Sequence, residues 1–357
     1  MVTPASSVRG RGAQSNATGR YESAVREAFE DGWTPDDLEP KQLTTTVSPE
    51  KARVIITKND SPDIGFDQSI NPYRGCEHGC IYCYARPAHA YMGLSPGLDF
   101  ESKLFFKPHA GELLERELSK PTYRPKVIHI GGNTDPYQPQ ERRLRVTRQV
   151  IEVLGRFSHP FSIITKSALI ARDLDVLGPL GRRNLVRAAV SITTVDRKLA
   201  RSMEPRAATP ERRLQAVRQL TDAGVPTIVM FAPAIPGLND HELEEVLERA
   251  REAGAIGAGY VALRLPLEIK DLFREWLETD HPDRARKVMS LVRQMRKGKD
   301  YDSNWGSRMT GQGPIADMLS KRFELASKKH GLGGRWDGLD LTQFRVPPKA
   351  GDQLQLF

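Results

Sequence analysis

Apolar positions along this chain alternate between two periods. Short β-rich runs at 53–57 (RVIIT), 127–131 (VIHIG), 161–165 (FSIIT), 188–193 (AAVSIT), 226–231 (PTIVMF) and 259–263 (GYVAL) read as strands. Between them, apolar residues recur three and four apart, as in Val146, Val150, Val153, Leu154 and Phe157, in 169–180, in Leu214, Val217 and Leu220, and in Leu243, Val246, Leu247 and Ala250. Thr209 at an N-cap, Pro210 in the first turn and Gly224 as a stop bracket the third of these helices. Strands separated by helices predict parallel βαβ units, hence an α/β fold. Six strands predict a partial (β/α)6 TIM-like barrel, with ligands at the carboxyl ends of its strands. After Pro266 the period stays helical, at 267–277, 285–295 and 315–330. The organisation expected is a mostly disordered segment over 1–45 with a short helix at 21–29, a barrel over 46–266, a helical extension over 267–335 and a polar tail over 336–357.

No apolar run among the 357 residues approaches the roughly 18 of a membrane span. The first twenty residues have no apolar stretch of the signal-peptide kind. A cytoplasmic protein with no membrane partner is expected. With 53 Lys and Arg against 45 Asp and Glu, the net charge is +8, which favours polyanions and makes nucleic acid a candidate partner.

The three cysteines, Cys76, Cys80 and Cys83, fall within eight residues as C-x3-C-x2-C. So tight and odd a set is a metal or cluster motif of a reducing compartment, not a disulfide framework. Soft thiolates select zinc or iron–sulfur. Zinc would need a fourth ligand, from His78, His89 or His129. A cubane on three cysteines leaves one iron open for chemistry.

The loop GCEHGCIYCY (75–84) resembles the C-x3-C-x-aromatic-C hallmark of the radical S-adenosylmethionine (SAM) superfamily, Tyr82 being the aromatic. The wider run NPYRGCEHGCIYCYARPAH, with GGNTDPYQPQE, ITKS, SITT, MEPRAATPERRL and APAIPGLND, is similar to the branch related to spore photoproduct lyase. The likeness extends over about 54–322. It implies a [4Fe-4S] cluster held by Cys76, Cys80 and Cys83, whose open iron chelates SAM. It further implies an electron donor such as flavodoxin or ferredoxin, and a 5′-deoxyadenosyl radical that abstracts hydrogen from substrate. The cofactors expected are therefore a [4Fe-4S] cluster and S-adenosyl-L-methionine, in a lyase- or transferase-type enzyme. That branch also implies a further cysteine that returns a hydrogen atom. This chain has none, so thymine-dimer reversal by that route is not expected of it.

Strand-end polar residues supply the other candidates. Asn133, Thr134 and Asp135 match the strand end that takes the SAM amino group, Asp135 or Thr134 being a suitable acceptor for an ammonium. Alone they read as a Gly-Gly-Asn turn. Lys166, with Ser167, meets the SAM carboxylate or substrate, or is a solvated charge. Ser191 and Thr193 share a strand face that could bond the ribose. Glu204 and Arg206 either order SAM or pair with each other. The loop 233–237 matches one that cradles adenine. His78 reads as an exposed spacer, and Tyr84, Tyr137 and Tyr260 as packing groups more readily than radical relays.

Two features lie outside the barrel. Arg293, Arg296, Lys297 and Lys299 form a basic stretch that either contacts DNA or is a solvated helix face. The last residues, Gln353-Leu354-Gln355-Leu356-Phe357, resemble the peptide by which bacterial repair proteins dock on the β sliding clamp. The expected activity is reductive cleavage of SAM with hydrogen abstraction from a nucleic acid, damaged DNA above all. The alternatives are the same chemistry on RNA, peptide or a small molecule, and a zinc-stabilised nucleic-acid-binding module.

Overall fold

The computed structural model describes residues 10–22, 43–334 and 338–348. Among the described residues ten strands form two sheets. β1 (Thr46–Pro49), β4 (Tyr73–Arg74) and β5 (Lys103–Phe106) make a small sheet in the order β1-β5-β4. The other seven are β2 (Ile56–Lys58), β3 (Gln68–Ile70), β6 (Ile128–Ile130), β7 (Phe161–Thr165), β8 (Val186–Ser191), β9 (Thr227–Ala234) and β10 (Gly257–Ala262). Their order is β10-β9-β8-β7-β6-β3-β2. From β3 to β10 every pairing is parallel, giving the six strands of a partial barrel. The run at 53–57 is not the first of them. β2 pairs antiparallel at the edge, and Gln68–Ile70 leads into the cysteines.

Helices follow the strands because their apolar faces match the sheet's. Val146–Arg156 buries Val150, Ile151, Val153 and Leu154, and Leu243–Glu252 buries Leu243, Val246, Leu247 and Ala250. Pro210–Asp222 starts where Thr209 Oγ1 accepts from Arg212 N at 3.5 Å. The expected helix at 169–180 divides into a 3-10 turn, Ala168–Asp173, and an α-helix, Leu174–Arg182.

The extension consists of Ile269–Asp280, Pro282–Gln294 and Pro314–Lys329. Its first two helices build a second core from Ile269, Leu272, Phe273, Trp276, Val288 and Val292, which also takes in Cys80, Ile81 and Tyr82. The cysteine loop is thus clamped between barrel and extension. Pro314–Lys329 packs on Leu243–Glu252 and β10.

Part of the segment expected to be disordered is ordered. Arg11, Ala13 and Gln14 are buried, and residues 10–19 run as a strap along the cysteine loop. The short helix expected at 21–29 lies mostly outside the described residues, as do the last five residues. No helix among the described residues is long and apolar enough to cross a membrane.

Candidate active site

The cysteine loop begins at Gly75 and turns at Gly79, both with positive φ (72° and 69°). A Cβ at Gly79 would sit 2.6 Å from Glu101 Oε2, so glycine is required there for space as well as conformation. The backbone is tied from several sides. Cys76 N donates to Phe100 O at 3.0 Å, Ile81 N to Met203 O at 3.0 Å and Glu77 N to Gln138 Oε1 at 2.9 Å. Arg86, fully buried, donates to Cys80 O at 2.9 Å and Gly79 O at 3.1 Å and pairs with the equally buried Glu101. Glu101 accepts Gly12 N at 2.9 Å and Ala13 N at 2.8 Å from the strap.

Cys76 and Cys80 are buried, Cys83 is partly so, and all three are free thiols. Burial raises each thiol above its ordinary range, and for Cys76 the charges of Asp135, Cys80 and Cys83 add to it. Three clustered thiols whose ionised forms would repel one another are a donor set that a bound cation relieves. Among the described residues no three His, Cys, Asp or Glu groups converge as one metal ion requires. The histidines that a zinc site would recruit are engaged elsewhere: His78 with Asp135 at 3.3 Å, His89 Nε2 with Lys103 O at 2.9 Å, His129 Nδ1 with Ser162 Oγ at 2.9 Å. Three thiols in one loop without a fourth ligand fit a cluster, which takes one thiolate at each of three corners.

His78 is no exposed spacer. It is 2% exposed and faces Asp135. Asp135 is fully engaged. Its Oδ1 accepts Tyr137 N at 2.9 Å and Thr165 Oγ1 at 2.6 Å, and its Oδ2 accepts Lys166 N at 2.7 Å. Burial alone would raise its pKa, but His78 and these donors bring it down to about 2. Thr134 Oγ1 donates to Tyr73 O at 2.8 Å. Asn133 N donates to Asn71 Oδ1 at 2.9 Å, while its amide side chain makes no bond among the described residues. Lys166 places its ammonium 5.7 Å from the centre of the Tyr82 ring.

Glu204 and Arg206 do not pair. Glu204 is a buried hub that accepts from the Tyr82 hydroxyl, from Thr193 Oγ1 at 3.0 Å, and from Arg213. Burial opposes its ionisation, yet Arg213 and Lys166 hold its carboxyl below the ordinary range. Arg213 also donates to Ser191 O at 3.0 Å and Ala208 O at 2.7 Å. Arg206 instead pairs with Glu77 at 2.7 Å. The hydroxyl of Thr193 is thus taken by the hub, while Ser191 is buried beside it. In the loop 233–237, Asn239 occupies Ile235 N at 2.6 Å and Pro233 O at 2.9 Å. Tyr84 is half exposed and donates to Gly132 O, Tyr137 is fully buried, and Tyr260 packs 4.8 Å from Phe323.

Arg213, Arg86 and Glu101 were not singled out from the sequence. For Arg213 the signal existed. It lies one turn before Ala216 and Val217 and two before Leu220 on the buried face of its helix, where an unpaired charge is costly.

A partial barrel of six parallel strands with a three-cysteine loop after its first strand defines a class of cluster-bearing enzyme. Residues 70–250 match the family model of the Radical SAM superfamily, and the chain belongs to that superfamily. Its cofactors are a [4Fe-4S] cluster and S-adenosylmethionine. An uncharacterised protein of Mycobacterium tuberculosis (strain H37Rv) is 35% identical over 230 residues, covering 64% of this chain and 68% of the relative. An uncharacterised protein of Acidianus two-tailed virus is 25% identical over 296 residues, 81% of this chain and 89% of its own. Among solved structures, spore photoproduct lyase complexed with dinucleoside spore photoproduct superposes with a TM-score of 0.59 at 16% identity, covering 81% of each chain. A mutant of spore photoproduct lyase with bound AdoMet and dinucleoside spore photoproduct gives 0.56 at 15% identity, over 80% of this chain and 78% of that one.

Proposed function

We propose that this radical SAM enzyme acts on nucleic acid, in a repair-type reaction on damaged DNA. The observation that carries the reading is the fold shared over 81% of each chain with a lyase complexed with a dinucleoside photoproduct. The net charge of +8 suits the same polyanion. When bound, the cluster supplies the electron and the open iron site for reductive cleavage of SAM. Cys76, Cys80 and Cys83 would hold it. Tyr82, fixed by Glu204, is packed in the core that the extension shares with the loop, and Lys166 brings positive charge to Cys80 and Cys83. Asn133, with its amide unpaired, is the strand-end group best placed to meet SAM, in preference to Asp135 and Thr134, whose polar atoms the fold uses. Glu204, Arg206, Ser191 and Thr193 act as supports of the loop and strand ends.

With no fourth cysteine, the chain cannot return hydrogen through a thiol outside the cluster loop. Among the three tyrosines considered as relays, only Tyr84 has an exposed ring. We also propose an acidic flavodoxin or ferredoxin as electron source and a β sliding clamp as recruiter. The experiment is anaerobic turnover with nucleic acids carrying deuterium in the sugar and base methyl positions. Deuterium in 5′-deoxyadenosine is the expected result. SAM cleavage with no deuterium from any DNA or RNA tested would overturn the substrate reading while leaving the superfamily assignment intact.

A further inference from the structure

Beside the cysteine loop lies a concavity of about 500 Å³, bordered by His78 and Tyr137 and by four arginines, Arg142, Arg172, Arg206 and Arg212. No aspartate or glutamate lines it. Two of the arginines have their countercharge behind the wall: Arg172 pairs with Glu141 at 2.9 Å and Asp173 at 2.8 Å, and Arg206 with Glu77 at 2.7 Å. The other two have none among the described residues. Arg142 is exposed without a carboxylate partner, and Arg212 reaches only Gln215 Oε1, at 3.5 Å. A second concavity, of about 420 Å³, shows the contrast. Its arginines, Arg218 and Arg249, share the wall with Glu252, and Arg249 pairs with Glu245 at 2.5 Å.

Like charges gathered in a concave wall focus a positive potential. A guanidinium presents two parallel donors that match phosphate oxygens. The volume lies within the roughly 300–1,000 Å³ range of small-ligand sites, whereas a docked protein covers on the order of 800 Å² of each partner. We propose that this concavity is a phosphate-binding site in which a phosphodiester of the substrate strand is seated, held by Arg142 and Arg212. The proposal rests on the nucleic-acid reading for its ligand. Its place gives it a purpose. His78, which borders it, lies between Cys76 and Cys80 in sequence, so a strand anchored there is held in fixed register to the cluster loop. Phosphate contacts of this kind position a strand without reading its sequence.

The test compares the full-length holoenzyme with the double variant Arg142→Ala/Arg212→Ala, and with Arg284→Ala/Lys287→Ala, which removes equal charge from the exposed face of Pro282–Gln294. Binding of a single-stranded and a duplex oligonucleotide is measured across salt concentrations, and inorganic phosphate is titrated by calorimetry. Iron content and thermal midpoint report whether each variant is folded. The cavity variant is expected to bind oligonucleotide roughly tenfold more weakly and to lower the salt slope by about 1 to 2, while the control variant does not. Equal losses in both variants would overturn the site in favour of diffuse charge. Slower reduction by reduced flavodoxin with unchanged oligonucleotide and phosphate binding would reassign the cavity to a protein carrier, and overturn it too. If the wild type binds no oligonucleotide, the substrate reading fails separately. Phosphate binding that is lost only in the cavity variant would still support the site, and its absence from the wild type would sink it.

Discussion

Asp135 shows how one side chain changes meaning between sequence and structure. A carboxylate after the second barrel strand invites an ammonium ligand, yet its oxygens already accept two backbone N–H groups and the Thr165 hydroxyl, with His78 alongside. It joins the ends of β6 and β7 to the cysteine loop. Its carboxyl falls from an ordinary 3.8 to about 2, because His78 and the donors outweigh burial. A depressed carboxylate stabilises the folded state above the unfolded pKa. That contribution, about 2 kcal/mol, is lost as pH falls from roughly 4 towards 2. Asp135→Asn is therefore expected to lower unfolding free energy at pH 7 by about 2 kcal/mol and to flatten the stability profile between pH 4 and 2, as measured by urea denaturation. Loss of SAM affinity with unchanged stability would restore the ammonium role. The cysteines were legible in the sequence because their chemistry is nearly independent of the fold. The partners of Glu204 were not, since Arg213, Tyr82 and Thr193 meet it only through tertiary packing.

At the scale of elements, the strap over residues 10–19 is the part that periodicity could not reveal. It has almost no apolar stripe. It is held by main-chain N–H groups on a single carboxylate and by Arg11, which donates to Glu101 O at 2.7 Å and to Thr45 Oγ1 at 2.8 Å. Polar, glycine-rich composition reads as disorder when the stabilising bonds are to a distant partner. Gly12 carries the fit, since a Cβ there would stand 1.8 Å from Gly79 O. Gly12→Ala is expected to lift the strap, remove two donors from Glu101 and leave the Arg86–Glu101 pair as the loop's main support. Overpacking of this kind costs about 1–3 kcal/mol. The reconstituted variant should lose its cluster absorbance in air several-fold faster than the wild type; equal rates would show that the strap does not shield the loop. The basic stretch teaches the converse lesson. Arg296 is 2% exposed and donates to Ser307 O and Leu263 O, so it is spent inside the fold, whereas Arg293 stays exposed although it pairs with Asp300 at 2.7 Å. The first barrel strand was misplaced for a related reason. Gln68–Ile70 is too short and too polar to stand out, while the more apolar 53–57 supplies only the start of the edge strand Ile56–Lys58.

For the whole molecule, the six-strand alternation and the helical extension were legible because burial of repeated apolar faces leaves a periodic trace. What that trace could not show is that the extension's core also packs Cys80, Ile81 and Tyr82, making it part of the site's foundation. The polar tail poses the remaining question of scale. The five residues Gln353-Leu354-Gln355-Leu356-Phe357 lie outside the described residues, and only their sequence bears on their role. If they dock on a sliding clamp, the enzyme reaches DNA by tethering, and its own contacts need only position the strand. Tethering raises the local concentration of the partner without new contacts at the cluster. Deleting the five residues is then expected to abolish clamp binding, and Phe357→Ala to weaken it by about 2 kcal/mol or more, as truncation of an aromatic anchor does at a hot spot. On that reading iron content and thermal midpoint do not move, because the peptide is then a recruiter and not a brace. A tail that folds back on the barrel predicts the reverse, a lower thermal midpoint on deletion and a clamp that never binds. Titrating a labelled C-terminal peptide against purified clamp separates the two, and no binding at high micromolar peptide would leave recruitment to the enzyme's own basic surface.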